Sequence, residues 1–153
     1  MTRTYIVTAI LCLASPAAAA CRDDVVDLRG KFGQVRFQVD IADDPKERAQ
    51  GLMFVTDMGP MEGMLFVYER PQRASFWMRN TPQPLDIIFF DPEGRLTTIQ
   101  ADARPFDETP LPGGDNVQYV LEIHAGLSAR FGLTEGVELR HPALGSDAAW
   151  PCD

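Results

Sequence analysis

Short strand-forming runs at close spacing constrain the fold of this chain more than any other feature. Each run is rich in Val, Ile, Leu or Phe, and glycine, proline and aspartate separate most of them. Strands spaced this closely, with little helix between them, are typical of antiparallel sandwiches and barrels. The sequence therefore predicts a mostly β fold, a compact antiparallel β-barrel or sandwich with one or two short helices. The predicted strands are Val25 to Arg29, Gln34 to Ile41, Met64 to Tyr68, Ala74 to Met78, Leu85 to Phe90, Leu96 to Gln100, Val117 to His124 and Val137 to Arg140.

Two segments carry helix signals. Asp44 is suited to cap a helix, Pro45 to occupy its first position and Glu47 its third, and Gly51 can end it. One short helix is predicted there. The segment from Ala125 to Gly132 predicts a further turn or two of helix.

One segment lacks any periodicity. Residues Asp102 to Asn116 contain three prolines and two glycines, which predicts an irregular loop. Loops of that length are often functional or mobile. A surface connection across one end of the barrel explains the composition equally well.

The first residues predict export. Arg3 precedes an apolar run from Ile6 to Ala14, and alanines follow up to Ala20, which is the pattern of a cleavable signal peptide. The run is far shorter than the roughly 20 residues that cross a bilayer, and no later run reaches that length. We expect residues 1–20 to be a signal peptide, residues 21–153 to be a single domain, and the mature protein to be periplasmic or secreted without a transmembrane segment.

Cys21, directly after the predicted cleavage site, has two possible fates. It could be acylated as in a lipoprotein, but Ala18 stands where a lipoprotein signal normally has leucine. The other cysteine of the mature chain is Cys152, and two cysteines in an oxidising compartment most simply pair. The sequence favours a Cys21–Cys152 disulfide over lipid anchoring.

The charge balance bears on the choice of partner. The formal net charge of −8 falls to −9 when the signal peptide is removed, since Arg3 is its only charged residue. A surface that acidic repels phosphate backbones, so no nucleic acid partner is expected. The sequence carries no signal for an oligomeric state.

Several blocks resemble the family known as domain of unknown function 192 (DUF192). The resemblance extends over about residues 35 to 141 and implies a compact β-rich domain with short helices, found in exported or membrane-attached proteins and without an established activity. Relatives have an arginine after Gly-Leu-Met-Phe, where this chain has Val55. The matching blocks are Glu47-Arg48, Gly51-Leu52-Met53-Phe54, Gly63-Met64-Leu65-Phe66, Phe76-Trp77-Met78-Arg79-Asn80-Thr81, Pro84-Leu85-Asp86-Ile87-Ile88-Phe89, Val120-Leu121-Glu122 and Ala125-Gly126.

Familiar catalytic and metal-binding motifs are missing from the sequence. There is no Gly-x-Ser-x-Gly element, phosphate loop or dinucleotide fingerprint. His124 and His141 stand too far apart in sequence for a structural zinc motif, and the mature cysteines lie at the two ends. The sequence predicts no metal and no cofactor.

Polar residues inside the motifs are the candidate site. Asp86 interrupts an apolar strand, so its carboxylate is expected to be buried and to need partners. Alternation along the last long strand puts Glu122 and His124 on one face. We expect Trp77, Asn80, Asp86 and Glu122 to lie near one pocket that binds a small polar ligand such as a glycan fragment without catalysis. Arg48 could join that pocket by neutralising Asp86 or Glu122, or it could simply face water.

Each of these residues also has a purely structural explanation. Asp86, Asn80 and Thr81 could brace the proline-containing loop from Asn80 to Pro84, and Trp77 could be a core aromatic. If these residues form a binding site, we expect Asp86 to be buried and hydrogen-bonded to backbone groups near Asn80 and Thr81. We expect Glu122 to line a shallower pocket beside Trp77.

Two other functions fit the same sequence. A hydrolase could use Asp86 and Glu122 as acid and base, which for a glycosidase requires the carboxyl groups to stand roughly 5 to 9.5 Å apart. A copper(I)-binding protein could use thioether ligands, which are soft donors, although methionine also fills irregular gaps in a core. The methionines of that cluster are Met53, Met58, Met61, Met64 and Met78.

The predicted processing can be tested by intact-mass measurement of the exported protein. The mass should correspond to a chain that starts at Cys21 and carries no lipid, because the sequence before Cys21 lacks the leucine of a lipoprotein signal. A mass increment of one diacylglycerol would contradict the expectation.

Overall fold

The computed structural model describes residues 20–152, which form a single seven-stranded sheet with two short α-helices and one 3-10 turn. Nearly all of the predicted signal peptide, residues 1–19, lies outside the described residues. Among residues 20–152, no helix is both long and apolar enough to cross a membrane. The elements are β1 Val25–Gly30, β2 Gly33–Ala42, α1 Pro45–Gln50, β3 Glu62–Phe76, β4 Leu85–Phe90, β5 Leu96–Ala103, β6 Leu111–His124, α2 Leu127–Phe131, β7 Glu138–Arg140 and the 3-10 turn Pro142–Leu144.

The sheet curls into a half-barrel with the strand order β5-β4-β6-β3-β2-β1-β7. Its two edges meet at one end, where Arg95 bridges Glu138 and the N–H of Leu96 donates to the carbonyl of Val137 (2.7 Å). The predicted mostly β fold with short helices is confirmed. One strand pair departs from the antiparallel expectation, because β2 and β3 run parallel and α1 lies in the connection between them.

Side chains on the two faces of the sheet form two separate apolar clusters. The inner cluster draws on all seven strands and includes Phe37, Leu65, Ile88 and Leu121. The outer cluster packs beneath α1 and the segment after β3, and includes Leu52 and the residues Phe66, Met78, Ile87 and Val120. Since neighbours along a strand point to opposite faces, β4 and β6 alternate between the two clusters.

Helix α1 begins and ends as the sequence predicts. The side chain of Asp44 accepts hydrogen bonds from the N–H groups of Lys46 and Glu47, each 2.8 Å long, and Pro45 occupies the first helical position. Gly51 ends the helix with a φ of 50°, a conformation that costs glycine little. The chain then turns toward the outer face of the sheet.

Two expectations about the strands are wrong in their boundaries. The runs from Met64 and from Ala74 are one long strand, β3, whose pairing with β6 is interrupted by irregular register around Gln72 and Ala74. Most of the predicted loop from Asp102 to Asn116 belongs to β5 and β6, so that only residues 104–110 connect the two strands. Prolines and glycines are tolerated there because bulged pairing does not require every N–H.

A disulfide joins the two ends of the described chain, as predicted. Cys21 and Cys152 are bonded across a sequence separation of 131 residues. The sulfur of Cys21 is therefore bonded to the sulfur of Cys152. Trp150, two residues before Cys152, packs between the guanidinium groups of Arg29 and Arg140, at 4.6 and 4.5 Å from its ring centroid.

Removing the disulfide should lower stability strongly. A cross-link that closes so long a loop limits the unfolded chain by about 5 kcal/mol in loop-entropy models. We expect the Cys21→Ser/Cys152→Ser double variant to lose free energy of unfolding of that order in denaturant titrations. Reductant should destabilise the wild-type protein toward the level of the variant and leave the variant unchanged; equal stability of the oxidised wild type and the variant would contradict the expectation.

Candidate ligand-binding cavity

A cavity of about 220 Å³ opens on the outer face of the sheet, between the end of α1, strand β3 and the segment that follows it. We call it the Glu122 cavity. Its walls combine apolar side chains with polar ones. The polar groups include the carboxyl group of Glu122 and the hydroxyl groups of Tyr68, Ser75 and Thr81, and the exposed indole of Trp77 also lines the cavity. Its lining residues are Arg48, Ala49, Gln50, Gly51, Leu52, Met53, Phe66, Tyr68, Ser75, Phe76, Trp77, Thr81 and Glu122.

Glu122 is held in this cavity by the central strand of the sheet. On β6 it lies opposite Met64 of β3 and Ile87 of β4, so both of its lateral neighbours are apolar. Its side chain points toward the outer cluster and is only 4% exposed. The sheet thus places a carboxyl group in an apolar setting at the wall of a cavity.

The carboxyl group of Glu122 forms no hydrogen bond or salt bridge with the described residues, 20–152. Burial raises the pKa of the Tyr68 phenol most, and Glu122 lies close enough to help raise it. Burial alone raises the pKa of Glu122 from 4.5 to about 8, because removal from water disfavours the charged form. At neutral pH the group is therefore mostly protonated and can donate a hydrogen bond into the cavity.

Arg48 lines the cavity but does not neutralise either candidate carboxylate. Its guanidinium donates to the carbonyl oxygens of Asp43 and Val67, the latter at 2.9 Å, and forms a salt bridge of 3.0 Å with Glu69. It also lies 5.1 Å from the ring centroid of Tyr68. Of the two alternatives left open for Arg48, neutralisation of Asp86 or Glu122 is not seen, because these contacts hold the guanidinium against the end of α1 and the middle of β3.

Trp77 lies just beyond the end of β3, and its side chain is 44% exposed. The interpretation of Trp77 as a core aromatic is therefore wrong. Its indole lines the same cavity as Glu122, and the guanidinium of Arg79 lies 5.3 Å from its ring centroid. An aromatic face that is open to solvent beside a buried carboxyl group is available to a ligand.

Asp86 is buried as expected but lies on the other face of the sheet. It is paired with Ile123, the neighbour of Glu122, so the two carboxyl groups point in opposite directions. Its oxygens accept hydrogen bonds from the N–H groups of Asp102 (2.9 Å) and Ser128 (2.8 Å), not from groups near Asn80 and Thr81. Asp86 therefore braces β5 and α2, and the predicted acid and base pair with Glu122 is not formed.

Asn80 is exposed and does not line the cavity. Its carbonyl accepts a hydrogen bond of 2.8 Å from the N–H of Phe54, and its amide nitrogen lies 4.0 Å from the sulfur of Met53. Its φ of 51° is a left-handed conformation that asparagine tolerates better than most residues. The structure gives Asn80 a bracing role in the cavity wall, and Thr81 is the neighbour that reaches the cavity.

Sequence reasoning missed several residues at this site. Tyr68 and Ser75 belong to a strand whose bulges could not be placed from composition. Phe54 and Phe106, whose backbone N–H groups bond to the carbonyls of Asn80 and Thr81 beside the cavity, are 72% and 64% exposed, although phenylalanine is among the residues most often buried. The only signal in the sequence was that Phe54 and Phe106 are flanked by residues that break regular periodicity.

The five methionines do not form one accessible cluster. Met78 is fully buried in the outer cluster and Met53 lines the Glu122 cavity, whereas Met58 and Met61 line a separate groove with His124. The Nε2 of His124 contacts the carbonyl oxygens of Met58 (2.9 Å) and Gly59 (3.1 Å) rather than Glu122. The arrangement gives little support to copper(I) binding by the methionines as a group.

Comparisons with known proteins support the fold and leave the activity open. The DUF192 family model, described as an uncharacterized ACR, matches residues 26–141. A protein of unknown function from Novosphingobium aromaticivorans is 45% identical with a TM-score of 0.73, over 75% of this chain and 82% of that one. A protein from Sinorhizobium meliloti, provisionally described as a transcription regulator, is 35% identical with a TM-score of 0.74, over 80% of this chain and 95% of that one. No curated protein matches the chain.

The raised pKa of Glu122 predicts a pH dependence of stability. Between its ordinary pKa of 4.5 and its raised pKa of about 8, the folded state holds a proton that the unfolded chain has released, so raising the pH favours unfolding. At about 1.4 kcal/mol per pKa unit, the loss reaches about 5 kcal/mol above pH 8. Below pH 4.5 the contribution vanishes, since both states are protonated.

Glu122→Gln should remove this dependence, because glutamine stays neutral at every pH. The free energy of unfolding, measured by denaturant titration from pH 4 to 9, should fall less steeply for the variant than for the wild type. The exposed residue Glu135 provides a matched control, and Glu135→Gln should follow the wild-type curve. Parallel curves for the wild type and Glu122→Gln would show that Glu122 does not titrate in this way.

Proposed function

This chain belongs to the DUF192 family, and we propose that it is an exported, non-catalytic binding domain whose Glu122 cavity accepts a small polar ligand such as a glycan fragment. The family name carries no activity, so the proposal rests on the cavity. The observation that carries it is a buried carboxyl group without a hydrogen-bond partner among the described residues, aimed into a cavity beside an exposed indole.

A carboxyl group that faces a cavity and has no hydrogen-bond partner in the protein can bond directly to a ligand. Buried polar groups in native structures normally have a partner, and for Glu122 that partner has to come from inside the cavity. The contrast with Asp86 is direct, because each of its two oxygens accepts a backbone hydrogen bond. A hydroxyl or amine of a ligand would give Glu122 the partner that the chain itself does not provide.

The rest of the cavity suits a ligand with both flat apolar surface and hydroxyl groups. Trp77 offers an aromatic face, and Ser75 and Thr81 bring hydroxyl groups to the lining. Ligand sites commonly combine apolar walls with a few well-placed polar groups that fix orientation. Sugars present this combination, which is why a glycan fragment is the proposed class.

Binding is favoured over hydrolysis by the number of carboxyl groups. Glycoside hydrolysis normally needs two carboxyl groups on opposite sides of the bond that is broken. Among the described residues that line the cavity, Glu122 is the only one with a carboxyl group. Asp86, the sequence-based partner, is separated from it by the sheet.

Export forms the second part of the proposal. The signal-peptide pattern of residues 1–20 and the disulfide between Cys21 and Cys152 both suit an oxidising compartment, and residues 21–153 would then form the mature domain. The Sinorhizobium meliloti protein is provisionally described as a transcription regulator, which would imply DNA binding. For this chain, a net charge of −9 after removal of the signal peptide opposes contact with a phosphate backbone.

The proposal can be tested with a thermal-shift screen of neutral sugars, amino sugars and amino acids. A ligand at 100 times its Kd stabilises the folded state by about 2.7 kcal/mol, which for a domain of this size raises Tm by roughly 10 °C. Trp77→Ala should abolish the shift because it removes the aromatic face, and Glu122→Gln should reduce it.

Glu135→Gln serves as the control and should keep the full shift. The proposal fails if no compound in the screen stabilises the protein. It also fails if every stabilising compound acts equally on the wild type, Trp77→Ala and Glu122→Gln.

A further inference from the structure

A second cavity, of about 160 Å³, is also lined by Trp77. It shares Ser75, Phe76 and Trp77 with the Glu122 cavity and adds Glu108 and Pro110, so we call it the Glu108 cavity. Resting on the function proposed above, we infer that the ligand is an oligosaccharide of at least two sugar units, which spans both cavities and crosses the indole of Trp77.

The volumes favour one ligand that fills both cavities. Neither about 220 nor about 160 Å³ reaches the roughly 300 Å³ at which sites for drug-sized ligands begin, whereas the two together do. Each cavity also has one carboxyl-bearing side chain, but Glu122 is buried whereas Glu108 is exposed and forms a salt bridge of 3.8 Å with Arg79. Each offers a polar group to one unit of the ligand, and the salt bridge of Glu108 favours a binding role over that of a second catalytic carboxyl group.

The outer wall of the Glu108 cavity is fixed in place before any ligand binds. The N–H of Met78 donates to the carbonyl of Asp107 (2.7 Å), and the N–H of Phe106 donates to the carbonyl of Thr81 (3.1 Å). The side chain of Asp107 accepts a further bond of 2.8 Å from the N–H of Thr109. The connection of residues 104–110 is thus attached to the segment that carries Trp77, which reduces the entropy cost of binding.

Two further exposed aromatic residues belong to segments attached close to Trp77. Phe54, Trp77 and Phe106 are the large apolar side chains that stand exposed among residues 20–152. The N–H groups of Phe54 and Phe106 bond to the carbonyls of Asn80 and Thr81, just after Trp77. Of the three, Trp77 lines both cavities, and its indole provides the flat surface on which a sugar ring can stack.

The backbone at these rings is strained. Phe54 has a φ of 66° and Phe106 a φ of 63°, a left-handed conformation that bulky residues rarely adopt. Such strain is concentrated at functional sites in known proteins. The side chains of both phenylalanines are exposed, so packing brings little compensation.

The charges around the two cavities are largely balanced. Glu122 is mostly protonated at neutral pH, Glu108 forms a salt bridge of 3.8 Å with Arg79, and Glu69 forms one of 3.0 Å with Arg48. The lining thus offers hydrogen bonds and not an unpaired charge, and the acidic chain as a whole disfavours anionic sugars. The ligand is therefore a neutral oligosaccharide or an amino-sugar oligosaccharide.

Calorimetric titration with sugars of increasing length tests the inference. The probes are one-, two- and four-unit series of glucose, galactose, glucosamine and N-acetylglucosamine. In the series that binds, the two-unit sugar should bind at least 10-fold more tightly than the one-unit sugar. Glu108→Ala should weaken the two-unit sugar several-fold and leave the one-unit sugar unchanged, because a single unit occupies only the Glu122 cavity.

Glu135→Ala is the matched control and should bind all lengths like the wild type. Equal affinity for one and two units, together with no effect of Glu108→Ala, would overturn the inference while leaving the proposed Glu122 site intact. Absence of binding by every series at millimolar concentration would overturn the sugar class. The proposed function itself fails on the outcome of the thermal-shift screen, when no sugar or amino acid stabilises the protein or when stabilisation is insensitive to Trp77→Ala and Glu122→Gln, so the two failures are distinguishable.

Discussion

The pairing of β6 with β3 on one side and β4 on the other is the interaction on which the rest of the structure depends. As an internal strand of a curled sheet, β6 has both faces covered by side chains. Leu121 and Ile123 pack in the inner cluster, and Val120 packs in the outer one. Glu122 is consequently buried, and its cavity exists because α1 and the segment after β3 cover that face incompletely.

The strands, helix α1 and the disulfide were predictable because each depends on local or simple signals. Alternating apolar residues, the cap at Asp44 and the two mature cysteines require no knowledge of distant neighbours. The relation between Asp86 and Glu122 was not predictable, since a shift of one residue in register reverses the face on which a side chain lies. The position of Trp77 was missed for a related reason: β3 ends at Phe76, and the residue after a strand need not follow its alternation.

Asp86 and Glu122 are buried carboxyl groups on adjacent strands, but their surroundings differ. Asp86 has both oxygens satisfied by backbone N–H groups, so it can remain in the interior at little net cost. Glu122 has no such partner and adapts by a raised pKa instead. Arg48, the nearest basic side chain in the cavity lining, is held by Glu69 and backbone carbonyls. Arg48 is therefore not available as a counter-ion for the charged form of Glu122.

The disulfide between Cys21 and Cys152 also determines how the domain would respond to mechanical load. Suppose that one end of the chain is anchored and the other is pulled away. The force would then pass through the disulfide bond between Cys21 and Cys152. The strands between them would carry almost no tension, and the sheet could not be peeled apart from either edge. Under oxidising conditions the domain would then stay folded while the chain on either side of it is under tension.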